Sequence, residues 1–381
     1  MDLKKFLDYY HKNLAEETFF STYKAKSLAA LKSNLDYYAT KSPQWRFFDF
    51  NPLVNFKMGE NSRVSLNNLI PFNKKEKVAT FVDDNFSPEY STFTPQNNLN
   101  ETLFFDRLNS IEYFYLLNNL SFETFYFFTF DSTETSILNF ICQSKNFVSL
   151  KIGIIIPEGV KAKIKINYLN SQINSFTNIS FDFFLKKNAS LDLVNLNNQR
   201  INDIINSNYY FELEQNSELD AVNLIGTGIT KRSFWECNLK GTRAKVNLKS
   251  LSEGQGTGKI YNYTVVNHQA AESESDQLHK AILLDQGSFD FYGNLEIGKK
   301  VKNALAKTVN RNLLLSKHAI IYTRPELKIN HDEVKCSHGA TIGKLDENAL
   351  FYLMTRGISL EQAKTVLLTA FKNEILLKAV L

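Results

Sequence analysis

Two residues near the C-terminal end could do chemistry together: Cys336 and His338, in the segment EVKCSH (Glu333–His338). Val334, Cys336 and His338 share one parity. If the segment is extended, thiol and imidazole face the same way, about 6.5–7 Å apart at the backbone. That spacing suits two ligands converging on one soft or borderline metal, such as iron or zinc. One C-x-H pair cannot complete a tetrahedral centre, however, and free cysteine is among the most buried residue types. Taken alone, the residues leave two readings open: half of a metal site, or a packed thiol beside a satisfied histidine. His331 and Asp332 lie close enough in sequence to orient the pair from behind. Lys335, of opposite parity, could act on the thiol from one side only.

The pair must be positioned by its neighbours. Leu327 and Ile329 alternate with Glu326 and Lys328 as in a half-buried strand, and Asn330 to Asp332 reads as a polar turn. Gly339 lets the backbone turn. Asp346 can then cap a helix running through Leu350, Phe351 and Met354 to Gly357. A second helix opens on Ser359-Leu360-Glu361-Gln362, a capping box in which the serine oxygen accepts an amide and Gln362 reaches back. Ala363, Val366, Leu367, Ala370, Phe371 and Ile375 follow at helical spacing. Residues 345–381 are thus predicted to form a helix–turn–helix tail with more apolar face than the end of a sheet needs.

Upstream, a repeat organises the chain. EGVKAKIKI (Glu158–Ile166), KNASLDLVN (Lys187–Asn195), QNSELDAVN (Gln215–Asn223), KGTRAKVNL (Lys240–Leu248) and QGSFDFYGN (Gln286–Asn294) share one form. Each is a polar residue, then Gly or Asn, then a strand of mostly alternating character. The Gly or Asn falls at 159, 188, 216, 241 and 287, in steps of 29, 28, 25 and 46, so one degenerate copy fits in the last step. Gly and Asn enter the left-handed region cheaply, as a sharp corner requires. A strand–corner–strand unit of this length is a solenoid signal. A β-sandwich would need two-residue hairpin signals such as Asn-Gly, which are missing, so a parallel β-helix is favoured.

The remaining regions are less regular. Residues 2–40 read as two helices, with stripes Phe6, Tyr9, Tyr10, Leu14 and Leu28, Leu31, Leu35, Tyr38, broken at Ser42-Pro43. Trp45 reads as a bulky anchor docking them on the next domain. Residues 50–100, with Pro52, Pro71, Pro88 and Pro95, are an irregular lead-in with short strands. From about residue 100 the chain is expected to be β, including the run Phe122 to Phe130. The domain boundaries predicted are 1–99, 100–325 for the β-helix and 326–381 for the ligand-pair segment and tail.

Composition narrows the function. Lys and Arg number 44 against 40 Asp and Glu, and the net charge of +4 indicates no nucleic-acid surface. Cys142, Cys237 and Cys336 are odd in number and scattered, which fits a reducing cytoplasm better than a disulfide framework. MDLKKFLDYY has no apolar core region, no signal peptide is expected, and no membrane helix is in prospect. Cys142 and Cys237 read as core packing. His268 and His279 flank AESESDQ, expected to be an exposed acidic turn. Glu253 to Gly258 lacks the G-x-x-x-x-G-K-[ST] spacing and reads as a mobile loop, so no ATP hydrolysis is expected of this chain.

From about His268 onward the chain resembles the SufB/SufD family, the β-helical scaffold proteins of SUF iron–sulfur cluster assembly. The resemblance is carried by NRNLLLS (Asn310–Ser316), PELKI (Pro325–Ile329), DEVKCSHGAT (Asp332–Thr341), LDENALFYL (Leu345–Leu353) and TRGIS (Thr355–Ser359). C-S-H-G is the form of its SufD branch. Two departures stand out. SPQW (Ser42–Trp45) lacks the acidic run usual before the tryptophan, and VKNALAKTV (Val301–Val309) has Leu305 and Thr308 where Asp and Gln are common.

The resemblance implies a right-handed parallel β-helix flanked by helical regions, mainly β with helical ends. It implies a non-enzymatic scaffold that pairs with a SufB-like subunit, with Cys336 and His338 facing that subunit across a heterodimer interface. No cofactor would be held tightly by the isolated chain; iron or a nascent iron–sulfur cluster would sit transiently at the interface. The tail would hold a SufC-like ABC ATPase, with Leu350, Phe351, Met354, Arg356 and Phe371 as its contacts, and ATP would enter only through that partner. With the SufB-like subunit absent, a homodimer is the expected alternative. Two other functions compete: a carbohydrate-active β-helix enzyme of secreted type, and a purely structural adaptor. The enzyme would need acids or bases on matching rungs, and Lys161, Asp192, Asp220, Lys245 and Asp290 offer a mixed ladder instead.

Overall fold

The structure, a computed structural model, describes residues 19–33, 75–96, 113–122, 124–143, 147–169, 175–197 and 203–379. The helix stripe at 6–14, Leu35, Tyr38 and Trp45 lie outside the described residues.

Strands form because the alternating segments can bury one face on each other. In order they are β1 (Lys77–Val82), β2 (Asn85–Phe86), β3 (Phe125–Thr129), β4 (Thr135–Ile141), β5 (Phe147–Ile156) and β6 (Lys161–Leu169). Then come β7 (Phe176–Leu185), β8 (Ser190–Asn197), β9 (Ile204–Leu213), β10 (Glu218–Ile225), β11 (Thr230–Leu239) and β12 (Lys245–Gly254). The series closes with β13 (Lys259–His268), β14 (Glu274–Leu283), β15 (Ser288–Ile297), β16 (Leu305–Leu314), β17 (Ile320–Ile329) and β18 (Lys335–Gly343). The described residues form two sheets, in the orders β18-β16-β14-β12-β10-β8-β6-β4-β1-β2 and β17-β15-β13-β11-β9-β7-β5-β3. Every pairing from β3 onward is parallel, and the β1–β2 pair is antiparallel. The chain alternates between the sheets, so each pair of strands is one rung of a parallel β-solenoid. It takes in Lys77 to Gly343, which adds part of the lead-in and the ligand-pair segment to the core read from sequence.

The corners explain the repeat and correct it. After β5, β7, β9, β11, β13 and β15 one residue per rung takes positive φ: Gly159, Asn188, Asn216, Arg243, Glu272 and Asn303. The fourth corner is therefore Arg243, two residues after Gly241, and Glu272 is the degenerate copy expected before 287. Gly287 belongs to the opposite corner, beside Asp285. Gly241 is needed for another reason: a Cβ there would lie 2.0 Å from the amide nitrogen of Gln215 on the rung below. The corner amides hydrogen-bond rung to rung, as from Asn188 to the Gln215 carbonyl and from Asn216 to that of Thr242. Asn216 Nδ2 donates to Asn188 Oδ1 and Arg243 Nε to Asn216 Oδ1. A corner arginine or glutamate is tolerated because this ladder holds its backbone in place.

The interior between the sheets is apolar at the N-terminal end, with Leu, Ile and Phe of facing strands at or near zero exposure. Aromatic rings stack along the axis, Phe183 on Phe211 at 4.6 Å and Tyr209 on Trp235 at 4.4 Å. Helices cover the outer faces. α1 (Phe19–Ser33) packs Leu28 and Leu31 on α2 (Tyr113–Ser121), and α2 lies on the outer face of the odd-numbered sheet against Phe176, Ile204 and Tyr210. Sequence reading expected strand here. All nine residues of α2 are buried, so the stretch has no polar face to give helical periodicity. Phe122 closes this helix, its amide donating to the Asn118 carbonyl, and strand begins only at Phe125. The helix is anchored by Lys151 of β5, whose fully buried ammonium sits 3.0 Å from Asp182, donates to Asn119 and lies over the Tyr115 ring.

At the other end follow α3 (Glu347–Thr355) and α4 (Leu360–Leu376), starting from the Asp346 cap and the Ser359–Gln362 capping box. α4 lies on the outer face of the even-numbered sheet, with Ile375 fully buried among Val194, Val222, Leu224, Leu251 and Ile282. Lys280 of β14, itself 2% exposed, donates to the Phe371 carbonyl and to Glu374, each at 2.6 Å.

Candidate metal half-site

The last rung places the pair. β18 is the edge of its sheet and pairs only with β16, in a register that sets Cys336 beside Ala306 and His338 beside Thr308. Ala306 and Thr308 are buried and face the solenoid interior, so Cys336 and His338 have the inward parity that alternation predicts. No described strand covers this rung from the far side, and the interior is open here. Cys336 is half-buried and packs against the core near Leu327 and Val334, while His338 is exposed. Burial pushes the Cys336 thiol above its ordinary pKa. A metal or a positive partner at the sulfur would favour the thiolate.

Chemically the arrangement is a thiol and an imidazole on one face of an open edge. No third His, Cys, Asp or Glu joins them among the described residues, whereas a tetrahedral metal centre ordinarily takes four ligands. His331 and Asp332 occupy the β17–β18 turn. His331 Nδ1 accepts the Glu333 amide at 3.0 Å and lies 3.5 Å from Asp332. Their contacts are with each other and the turn, and the structure does not bring them to Cys336 or His338.

Other sites read from sequence are placed differently. AESESDQ runs from a corner into β14, with Ser273 and Ser275 buried, because the degenerate rung passes through it. His268 and His279 are interior residues. His268 bonds Ser273 and Ser275, and burial lowers its pKa to about 4; His279 is fully buried and lowered to about 3. Glu253 to Gly258 is an ordered corner. Gly254 ends β12, and the Gln255 and Gly256 amides are held by Thr227 and Asp285. Cys237 is core, as expected. Cys142 is half-buried at the end of β4, with its thiol pKa raised by burial.

The carbohydrate ladder does not form. Lys161 and Lys245 share one row with Ser190 and Glu218, Asp192 and Asp220 lie in another, and Asp290 is buried in the opposite sheet against Arg324. In the tail, α3 buries no residue and exposes Phe351 (69%) and Met354 (44%), with Leu350 partly covered and Arg356 over the Tyr352 ring. Phe371 is engaged by its own chain, packed in the α4 seam with Lys280 over its ring.

Sequence reading missed the polar interior behind the half-site. Ser275, Gln277, His279, Thr308, Asn310 and Asn312 all point inward. Their period-2 spacing was the available signal, but polar residues at that period also describe a solvated face.

The described residues thus form a parallel β-solenoid whose open terminal rung carries a cysteine and a histidine on one face. The model described as SUF system FeS cluster assembly, SufBD core domain, matches residues 140–371, and the chain belongs to that family. Within it the chain resembles proteins named SufD. It is 33% identical over 148 residues to the iron–sulfur cluster assembly protein SufD of Escherichia coli, covering 39% of this chain and 35% of that one. A SufBD family protein of Synechocystis is 36% identical over 135 residues (35% and 29%), and the chloroplastic protein ABCI7 of Arabidopsis thaliana 37% over 120 (31% and 25%). The chain matches between a quarter and about a third of the length of these relatives. Membership of the family supports a scaffold role in iron–sulfur cluster assembly. No described helix is long and apolar enough to cross a membrane.

Proposed function

We propose that this chain is a non-catalytic scaffold subunit that pairs through its open terminal rung with a SufB-like subunit, the two together holding iron or a nascent cluster as cargo. The observation that carries this reading is the half-site: a thiol and an imidazole on one face of an edge strand, with no further ligand near them among the described residues. A second chain at that edge would supply the missing ligands and cover the rung. In the same proposal a SufC-like ABC ATPase docks on the apolar face of α3, through Leu350, Phe351, Met354 and Arg356, and ATP enters only with it. Phe371 then acts indirectly, by fixing α4 on the solenoid. A homodimer forms when the SufB-like subunit is missing, no nucleic acid or membrane takes part, and the setting is the reducing cytoplasm.

Co-purification of the chain from its native host, with iron and acid-labile sulfide measured, tests the proposal. The expected result is a complex with both partners, whose metal and sulfide content falls in Cys336→Ala and His338→Ala. Content unchanged in both variants would leave the structural adaptor as the better reading.

A further inference from the structure

The outer face of the even-numbered sheet carries a charged cleft at the foot of α4, with a volume of about 300 Å³. Leu278 of β14 and Val309 of β16 are neighbours in register and form its floor, their parity opposite to that of the buried His279 and Asn310. Lys307 and Arg311 stand on either side of Val309 on the same face, and Lys249 of β12 is the register neighbour of Leu278. Glu374 and Lys378 of α4 form the far wall, and Asp220 and Asp276 also line the cleft.

The carboxylates leave this cleft positive. Glu374 is taken by Lys280 at 2.6 Å and by Arg311 at 3.4 Å, and the Lys280 hydrogen bond holds its carboxyl below the usual range. Asp220 meets Lys378 at 3.8 Å. Lys249 and Lys307 have neither an ion pair nor a hydrogen bond among the described residues. With Lys280 included through its bond to Glu374, five cations face three carboxylates, an excess of two positive charges. The last turn of α4, the negative end of its dipole, borders the cleft, and Lys378 just beyond that end offsets it.

We infer that this cleft binds a small phosphate monoester. The doubly charged phosphate matches the excess of two, Lys249, Lys307 and Arg311 supply charged donors to its oxygens, and Leu278 and Val309 take the organic group. The inference is independent of the metal reading of Cys336 and His338.

Phenyl phosphate is the probe, titrated calorimetrically into the purified full chain at constant ionic strength and about pH 8, where the monoester is a dianion. Binding is expected, weakened about tenfold in Lys249→Gln and in Lys307→Gln, as loss of one charge-assisted hydrogen bond requires. Asp276→Asn, which removes a repelling carboxylate, should tighten it. Inorganic phosphate should bind more weakly for want of the apolar contact, and benzoate, with the ring but a single charge, should also bind more weakly. No binding by the wild type, or affinity unchanged in both lysine variants, overturns the inference. Benzoate or inorganic phosphate binding as tightly as phenyl phosphate overturns the monoester assignment. Amide hydrogen exchange of the wild type needs no substitution: phenyl phosphate should slow exchange at Glu374 to Lys378 and along β16. Protection confined to other segments would place the ligand elsewhere and sink the site.

Discussion

The two residues proposed as metal ligands should contribute little to the stability of this chain. Cys336 is half-buried and His338 exposed on an edge strand, so Cys336→Ala and His338→Ala should each cost no more than about 1–2 kcal/mol. Both should lower cluster assembly in the complex, measured as iron and sulfide per scaffold. Cys237→Ala should do the reverse, sparing assembly but lowering the unfolding midpoint, since its side chain is fully enclosed in the core. The interior histidines give a pH signature. Their folded pKa values, about 4 for His268 and about 3 for His279, lie below the ordinary value of 6.5. The unfolded chain therefore binds more protons between those limits, and the stability they contribute is complete above about 6.5 and lost as pH falls towards 3–4. Denaturant midpoints measured from pH 7 to 4 should fall, and more shallowly in His279→Gln; equal slopes would count against the assignment.

At the scale of elements, two helical attachments do different work. α2 is fixed by a fully buried ion pair, so Asp182→Ala strands the Lys151 ammonium and should cost about 3–5 kcal/mol. Replacing both partners with Lys151→Met and Asp182→Leu should cost much less, because the penalty lies in the unpaired charge; equal costs in a denaturation series would refute this. α3 is the opposite case, an apolar face with nothing buried on it. Phe351→Glu with Met354→Glu should abolish ATPase binding in a pull-down while leaving the far-ultraviolet circular dichroism unchanged. Retention of the ATPase by a chain truncated near Leu345 would show that the tail is not the docking element.

For the molecule as a whole, stability is shared between rungs that touch only their neighbours. The closest approach sits at a corner, where Gly241 leaves no room for a methyl group. Gly241→Ala should cost about 1–3 kcal/mol, measured by thermal or chemical unfolding, since the Gln215 backbone has to shift to relieve the clash. On the proposed pairing an isolated chain should bind metal weakly, and affinity should rise when a partner covers β17 and β18.

Local rules in the sequence determined the rungs, the tail and the shared face of Cys336 and His338. Period-2 alternation gives strands, Gly159, Asn188 and Asn216 give the corners, Asp346 and Ser359 give the helix starts, and Cys-x-His gives a common face. The corners at Arg243 and Glu272 escaped because the stacked backbone, not the residue type, holds them in the left-handed region. α2 escaped because burial on all sides removes the pattern that identifies a helix. Only the tertiary structure decided which polar residues point inward. A strand repeats every second residue whichever face is wet, so nothing in the spacing of Gln277, His279 and Thr308 separates a hydrogen-bonded interior from a solvated surface. The same holds for the tail, where Phe351 and Phe371 are alike in sequence. Docking of α4 on the even-numbered sheet leaves one exposed and packs the other into its own chain.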